Sequence, residues 1–115
     1  MVALKRSSSR KGKPVQLLKK CLRREYDVLK RLQNIRGVIK GHSYLVGLLE
    51  EIPDTLVLDL AQLGSLSRLI KHTHVSESTA KYIFAQLAHT LDQIHASQVV
   101  HLDIKSENIL IDEHF

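Results

Sequence analysis

Two groups of residues have the types and spacing to do chemistry. The first is Lys5 with Glu25. Leu18, Leu22, Leu29 and Leu32 recur at steps of four, seven and three, which puts them on one face of a helix. Glu25 falls on that stripe, where an apolar residue is expected. A carboxylate on a buried helix face is costly unless a cation or hydrogen-bond donors meet it. Lys5, which ends the run Val2-Ala3-Leu4, is the best candidate cation. The alternative is that Glu25 sits at the edge of the stripe and points to solvent. The second group is His101-Leu102-Asp103-Ile104-Lys105-Ser106-Glu107-Asn108, six of whose eight residues are polar. Apolar runs flank it, Val99-Val100 before and Ile109-Leu110-Ile111 after. Such a segment is a loop held by short strands, and loops on rigid frames often carry function. Asp103 can act as a base, Lys105 as a phosphate contact and Asn108 as a metal ligand through its oxygen. The alternative is a polar surface hairpin.

The elements that must position these residues are legible from pattern. Residues 2–6 read as a strand, and Ser7 to Lys13, followed by Pro14, has loop composition. Leu17 to Leu32 is helical by period, and Gly37 and Gly41 break the chain beyond it. Ser43–Leu49 and Thr55–Leu60 are apolar runs around a turn at Glu50-Glu51-Ile52-Pro53-Asp54, a hairpin of two strands. Gly64-Ser65 opens a short helix through His72. Ser76 is a good N-cap, with Glu77 in the first turn behind it. Ala80, Ile83, Phe84, Leu87, Ala88, Leu91, Ile94 and His95 then repeat at helical spacing, the longest helix of the chain.

Composition bounds the rest. A chain of 115 residues has room for one modest core. Charged residues at 25% are ordinary for a globular chain and argue against disorder throughout. The single cysteine, Cys21, cannot form an internal disulfide. No apolar run approaches the roughly 18 residues of a membrane span, and the N-terminus lacks a signal-peptide core. The expected address is intracellular and cytoplasmic, with no membrane partner. Charge is uneven: residues 1–40 hold thirteen Lys/Arg against Glu25 and Asp27, a net of +11, whereas residues 41–115 carry a net of −6. A basic segment implies an anionic partner, a nucleotide phosphate or a nucleic acid, unless it is simply a solvated helix face. Aromatics are 4% with no Trp, so the stacking platforms of single-strand binders are scarce and no nucleic-acid partner is expected.

Together these residues resemble a family. Val2-Ala3-Leu4-Lys5 resembles the Val-Ala-Ile-Lys strand of eukaryotic protein kinases, and His101 to Asn108 resembles their His-Arg-Asp-Leu-Lys-x-x-Asn catalytic loop. The order agrees as well: strand Lys, helix with one Glu, hairpin, long helix, polar loop. The resemblance implies an α+β fold, part of the two-lobed kinase domain, with small-lobe elements over residues 1–60 and the start of the helical large lobe over 61–115. It implies ATP and Mg2+ as cofactors and a protein substrate with a Ser/Thr acceptor. Lys5 would hold the α/β-phosphates and Glu25 would fix Lys5 by an ion pair. Ala3 would lie against the adenine, Leu58 would be the gatekeeper, and Leu58, Asp59, Leu60 and Ala61 would form the hinge whose backbone takes the adenine edge. Ser65 would sit near the ribose, and Leu110 would close the adenine from below. Asp103 would accept or orient the substrate hydroxyl proton, Lys105 would contact the γ-phosphate and Asn108 would bind magnesium. Lys105 at that offset resembles serine/threonine kinases more than tyrosine kinases. His101 would be structural, packed under the loop.

Departures carry expectations of their own. Leu102 replaces the loop's Arg, which usually pairs with a phosphorylated activation segment, so regulation independent of such a phosphate is expected. Ser106 replaces a common Pro, a mild change. Gly41 falls about where a bulky apolar residue is usual. No Gly-rich loop precedes Val2 and no Asp-Phe-Gly comes after the polar loop, so the chain reads as a fragment with weak nucleotide binding and negligible transfer on its own. Its apolar runs Leu45–Leu49 and Ile109–Ile111 are expected to lack neighbours. The rival function is a kinase-derived docking or scaffold module without catalysis. The remaining residues are blander. His72 and His74 read as solvated, His89 and His95 are six apart and do not share a face, and Cys21 reads as an inert helix cysteine. Ser7-Ser8-Ser9-Arg10 is a phosphorylation target or a plain loop.

Overall fold

The computed structural model describes residues 1–7, 12–47 and 53–114. Among the described residues the elements run in the order β1 (Val2–Arg6), α1 (Val15–Arg31), β2 (Gly41–Leu45), β3 (Thr55–Asp59), β4 (Gly64–Ser65), α2 (Leu66–His72), α3 (Glu77–Ala96) and β5 (Leu110–Ile111). The α+β class expected from the sequence is the class observed. The chain divides into two compact units, Met1–Asp59 and Leu60–Phe115.

The first unit is a three-stranded antiparallel sheet, order β1-β3-β2, with α1 packed on it. Ala3 stands opposite Leu58 and Lys5 opposite Leu56, while Gly41 also pairs with Leu58. The strand β3 is central and takes the apolar load: Leu56 is fully buried and Leu58 nearly so. Leu22 of α1 packs on both, joined by Tyr26 and Leu29 from the same face. That face is the leucine stripe read from periodicity, and the burial it gains is what holds a basic helix to the sheet. The helix begins at Val15, two residues before the expected Leu17, with Pro14 as its N-cap, whose carbonyl accepts the Leu17 and Leu18 N–H groups at 3.1 and 3.3 Å.

Strand β2 also starts two residues early, at Gly41 instead of Ser43. A Cβ on Gly41 would meet Leu29 Cβ and Tyr26 Cδ2 at 3.5 Å, so α1 fills the space where the family resemblance calls for a bulky apolar side chain. The turn at Glu50-Glu51-Ile52 and the far end of the first hairpin strand, Leu48 and Leu49, lie outside the described residues. Leu45 and Val46 are exposed, as expected of an apolar run without neighbours. In the second such run Leu110 is exposed, as expected, whereas Ile111 is buried.

The second unit holds two helices and the β4–β5 pair, with Gly64 opposite Ile111 and Ser65 opposite Leu110. Gly64-Ser65 is a short strand, and α2 starts one residue later with Ser65 as its N-cap: Ser65 Oγ accepts the Arg68 N–H at 3.2 Å. Gly64 has φ +78, a left-handed value that closes the turn from Ala61 and that glycine adopts without penalty. Helix α3 opens at Ser76 as read from sequence, with Ser76 Oγ accepting the Thr79 N–H. Ile83 and Ile94 are its buried positions. Among the described residues, no helix is long and apolar enough to cross a membrane.

Candidate active site

Cross-strand partners project from the same side of a sheet. Lys5, opposite Leu56, therefore leaves β1 on the face that α1 covers. There its Nζ lies 2.8 Å from Oε1 and 2.7 Å from Oε2 of Glu25. The ion pair weighed against solvent exposure from sequence is the arrangement formed. One part of the expectation is corrected: Glu25 is not on a buried face, since its side chain is 38% exposed and that of Lys5 54%. The stripe reaches the helix edge at Glu25, which leaves the Lys5 ammonium partly open to solvent.

A polar cluster that sequence reasoning missed adds a second tie between α1 and the sheet. Asp54, buried just before β3, accepts hydrogen bonds from the Tyr44 hydroxyl and from the Gly47 N–H at 2.8 Å. Lys19 Nζ of α1 stands 3.5 Å from the same carboxylate, and the Tyr44 hydroxyl also lies 3.3 Å from the Lys19 carbonyl. Arg23 sits over the Tyr44 ring, 5.1 Å from its centroid. Burial raises the Asp54 pKa, but the donors from Tyr44, Gly47 and Lys19 outweigh it and hold the carboxyl below its ordinary range. Burial first, then the bond to Asp54, pushes the Tyr44 hydroxyl up to about 12. Nothing local in the sequence announces this cluster, because its members come from α1, β2 and the approach to β3. Ser7 is buried, so its hydroxyl is not the accessible phosphorylation target considered from sequence; Ser8, Ser9 and Arg10 lie outside the described residues.

In the second unit the polar loop closes on itself. Asn108 Nδ2 donates to the Asp103 carbonyl at 2.9 Å and to Asp103 Oδ2 at 3.0 Å. Lys105 Nζ stands 3.6 Å from Asp103 Oδ2, and the Asn108 N–H bonds the Lys105 carbonyl at 2.9 Å. Three of the predicted site residues are thus brought into one cluster. The loop is anchored by α2: the N–H groups of Leu66 and Ser67 bond the carbonyls of Ile109 and Ser106 at 2.7 and 3.0 Å. Those are first-turn donors with no partner inside their own helix, so capping α2 and fixing the loop are one act. Leu102 takes φ +66, outside the ordinary range for a side chain of its size. His101 corrects another expectation. It is exposed and not packed under the loop, and its Nδ1 accepts the Asp103 N–H at 3.2 Å.

The other predicted residues fall into cross-strand neighbours. Ala3 faces Leu58 across β1 and β3, and Ser65 faces Leu110 across β4 and β5. The Ala61 carbonyl takes the Gly64 N–H, and the Asp59 carboxylate meets His42 Nε2 at 2.5 Å. His42 was not singled out from sequence. His72, His74, His89, His95 and Cys21 are exposed, and among the described residues no group of three or more His, Cys, Asp or Glu is placed to hold a metal.

The protein kinase domain family matches the chain over residues 1–115. The chain belongs to the protein kinase family. Among its relatives, CBL-interacting serine/threonine-protein kinase 7 of Arabidopsis thaliana is 35% identical over 91 residues, 78% of this chain and 20% of that protein. Human serine/threonine-protein kinase 32B is 34% identical over 102 residues, 83% of this chain and 24% of its own length. Human testis-specific serine/threonine-protein kinase 4 is 34% identical over 118 residues, covering 98% of this chain and 33% of that protein. The chain therefore spans a third or less of the length of these relatives. Phosphoryl transfer is the activity of the kinase family, and its members generally use ATP with Mg2+.

The donor set of this kinase domain fits such a cation. Magnesium keeps several waters and takes few protein ligands beside substrate phosphates. With its Nδ2 donating to Asp103, Asn108 is left with Oδ1 to offer a metal, one hard oxygen of the required kind.

Proposed function

We propose that this kinase domain carries out ATP-dependent phosphoryl transfer to serine or threonine hydroxyls of protein substrates. The observation that carries the reading is the Asp103–Lys105–Asn108 cluster. Asn108 grips both the backbone and the carboxylate of Asp103, which fixes the orientation of a group able to receive a hydroxyl proton. Asp103 orients the acceptor hydroxyl and takes its proton as the new P–O bond forms and the bond from the γ-phosphorus to the β,γ-bridging oxygen breaks, with ADP as the leaving group. Lys105 neutralises charge on the transferred phosphoryl group, and its distance of 3.6 Å from Asp103 leaves it free to turn to a phosphate. Lys5, steadied by Glu25, holds the α/β-phosphates. Asn108 would hold magnesium, which would supply further positive charge to the phosphate oxygens.

By family resemblance, Ala3, Leu58 and Leu110 are the side chains that contact the adenine. Backbone groups of Asp59 and Ala61 take its edge, and Ser65 sits near the ribose. Ser65 Oγ accepts the Arg68 N–H and keeps its proton and a second lone pair for the sugar. Family resemblance supports these assignments, and the pairings Ala3–Leu58 and Ser65–Leu110 agree with them. Lys105, in the offset of serine/threonine kinases, and the relatives named as such support the acceptor class.

The test is transfer of radiolabelled γ-phosphate from ATP to casein by the intact gene product, with phosphoamino-acid analysis of the labelled casein. Label on serine and threonine is expected, reduced about 10²–10⁴-fold by Asp103→Asn. Label on tyrosine alone, or a rate that Asp103→Asn leaves unchanged, overturns the reading.

A further inference from the structure

The join of β2 and β3 holds an irregularity that the kinase roles above do not use. Gly41 pairs with Leu58 and Ser43 with Val57, so His42 is an extra residue in the ladder with no partner of its own. Such a bulge re-aims a side chain, and bulges concentrate beside active sites. Here it turns the imidazole to the end of the neighbouring strand, where His42 Nε2 meets Asp59 Oδ1 at 2.5 Å. The backbone of Asp59 is held from the same side, its N–H bonding the Lys40 carbonyl at 3.0 Å. Asp59 is therefore gripped twice by residues 40–42, once through its main chain and once through its side chain. It is also the last residue of the first unit. Lys30 and Lys40 line an open cleft with His42, and Asp59 is the carboxylate that its ring contacts among the described residues.

We propose that His42 is a positioning residue for adenine recognition, acting through Asp59. This rests on the proposed function, in which the Asp59 and Ala61 backbone takes the adenine edge. A hydrogen bond between an edge carbonyl or N–H and a flat base is sensitive to direction. Fixing the Asp59 side chain lowers the freedom of that backbone before nucleotide arrives, a cost that binding otherwise has to meet. The phosphates are met by Lys5 and not by this segment, so the effect belongs to the base alone.

The experiment compares ATP with inorganic tripolyphosphate, which keeps the phosphates and lacks the base. Calorimetric titrations are run on the intact gene product, its His42→Ala variant and its His42→Gln variant, with a urea melt of each. The expected result is that His42→Ala weakens ATP about fivefold, the upper range for a half-exposed pair. Tripolyphosphate binding stays unchanged, and His42→Gln, whose amide can still donate to Asp59, restores most of the ATP affinity. Equal losses for ATP and tripolyphosphate, or no loss for either, overturn the role of His42 while leaving the kinase reading intact. A parent protein that binds no ATP overturns both.

Discussion

Lys5 and Glu25 meet across twenty residues of chain, with both carboxylate oxygens within 2.8 Å of one ammonium. The contact joins β1 to α1, and it exists because Leu22 seats the helix on Leu56 and Leu58. With side chains 54% and 38% exposed, the pair adds little to stability, and its value lies in where it leaves the ammonium. Glu25→Gln is expected to change unfolding free energy by less than about 1 kcal/mol. The same change weakens nucleotide binding, since Lys5 loses its tether. A urea melt and an ATP titration on one preparation check both halves, and a large stability loss with unaltered ATP affinity contradicts them.

The Tyr44–Asp54 bond is a stability element of a different kind. Asp54 is buried, and removing one of its donors leaves a charge less well compensated. Tyr44→Phe keeps the ring under Arg23 and deletes only the hydroxyl. It is expected to cost about 1–3 kcal/mol. Denaturant unfolding measures this, and a neutral result means that Lys19 and Gly47 suffice for the carboxylate.

The same cluster predicts a stability maximum with two identifiable limbs. Asp54 is held below its ordinary range when folded, so the unfolded chain takes up its proton first as pH falls. Its contribution is present above about pH 4, the unfolded value, and is lost as pH drops through the lower folded one. Tyr44 keeps its proton to about 12 when folded, whereas the unfolded hydroxyl gives it up near pH 10. Its contribution is whole below about pH 10 and drains away as pH rises toward 12. Melting temperature measured against pH should show both limbs. Tyr44→Phe should flatten the alkaline one, and an unchanged alkaline limb in that variant removes Tyr44 as its source.

Leu102 gives a prediction with the opposite sign. Its φ of +66 carries a steric penalty of about 1–2 kcal/mol for a side chain with a Cβ. The residue is 89% exposed, so little packing is lost with it. Leu102→Gly is expected to stabilise the protein by about 1 kcal/mol, after allowing for the greater freedom of glycine when unfolded. A destabilised variant in thermal melts indicates contacts of Leu102 that outweigh its backbone strain.

How much of the fold and site is legible in the sequence depends on the range of each interaction. The leucine stripe of α1, the Ser76 cap and the polar loop from His101 to Asn108 are local patterns, and periodicity or spacing suffices to read them. The family resemblance likewise rests on residues that stand close in sequence. Glu25 shows the limit. Its place on the stripe is readable, but whether it meets Lys5 or solvent depends on how α1 lies across β1, which packing on Leu56 and Leu58 decides. His101 departs from expectation for the same reason, since burial belongs to the surroundings of a loop and not to its motif. The Tyr44–Asp54–Lys19 cluster and the His42–Asp59 pair leave no sequence trace at all. The first needs α1 laid on the paired β2 and β3, and the second needs the inserted residue between Gly41 and Ser43 that redirects a side chain. The sequence by itself determined which segments are helices and which loop gathers Asp103, Lys105 and Asn108, because those depend on contacts within a few residues. Only the tertiary structure decided which charges meet, because an ion pair or hydrogen bond between distant segments requires strand register and helix placement that no local pattern encodes.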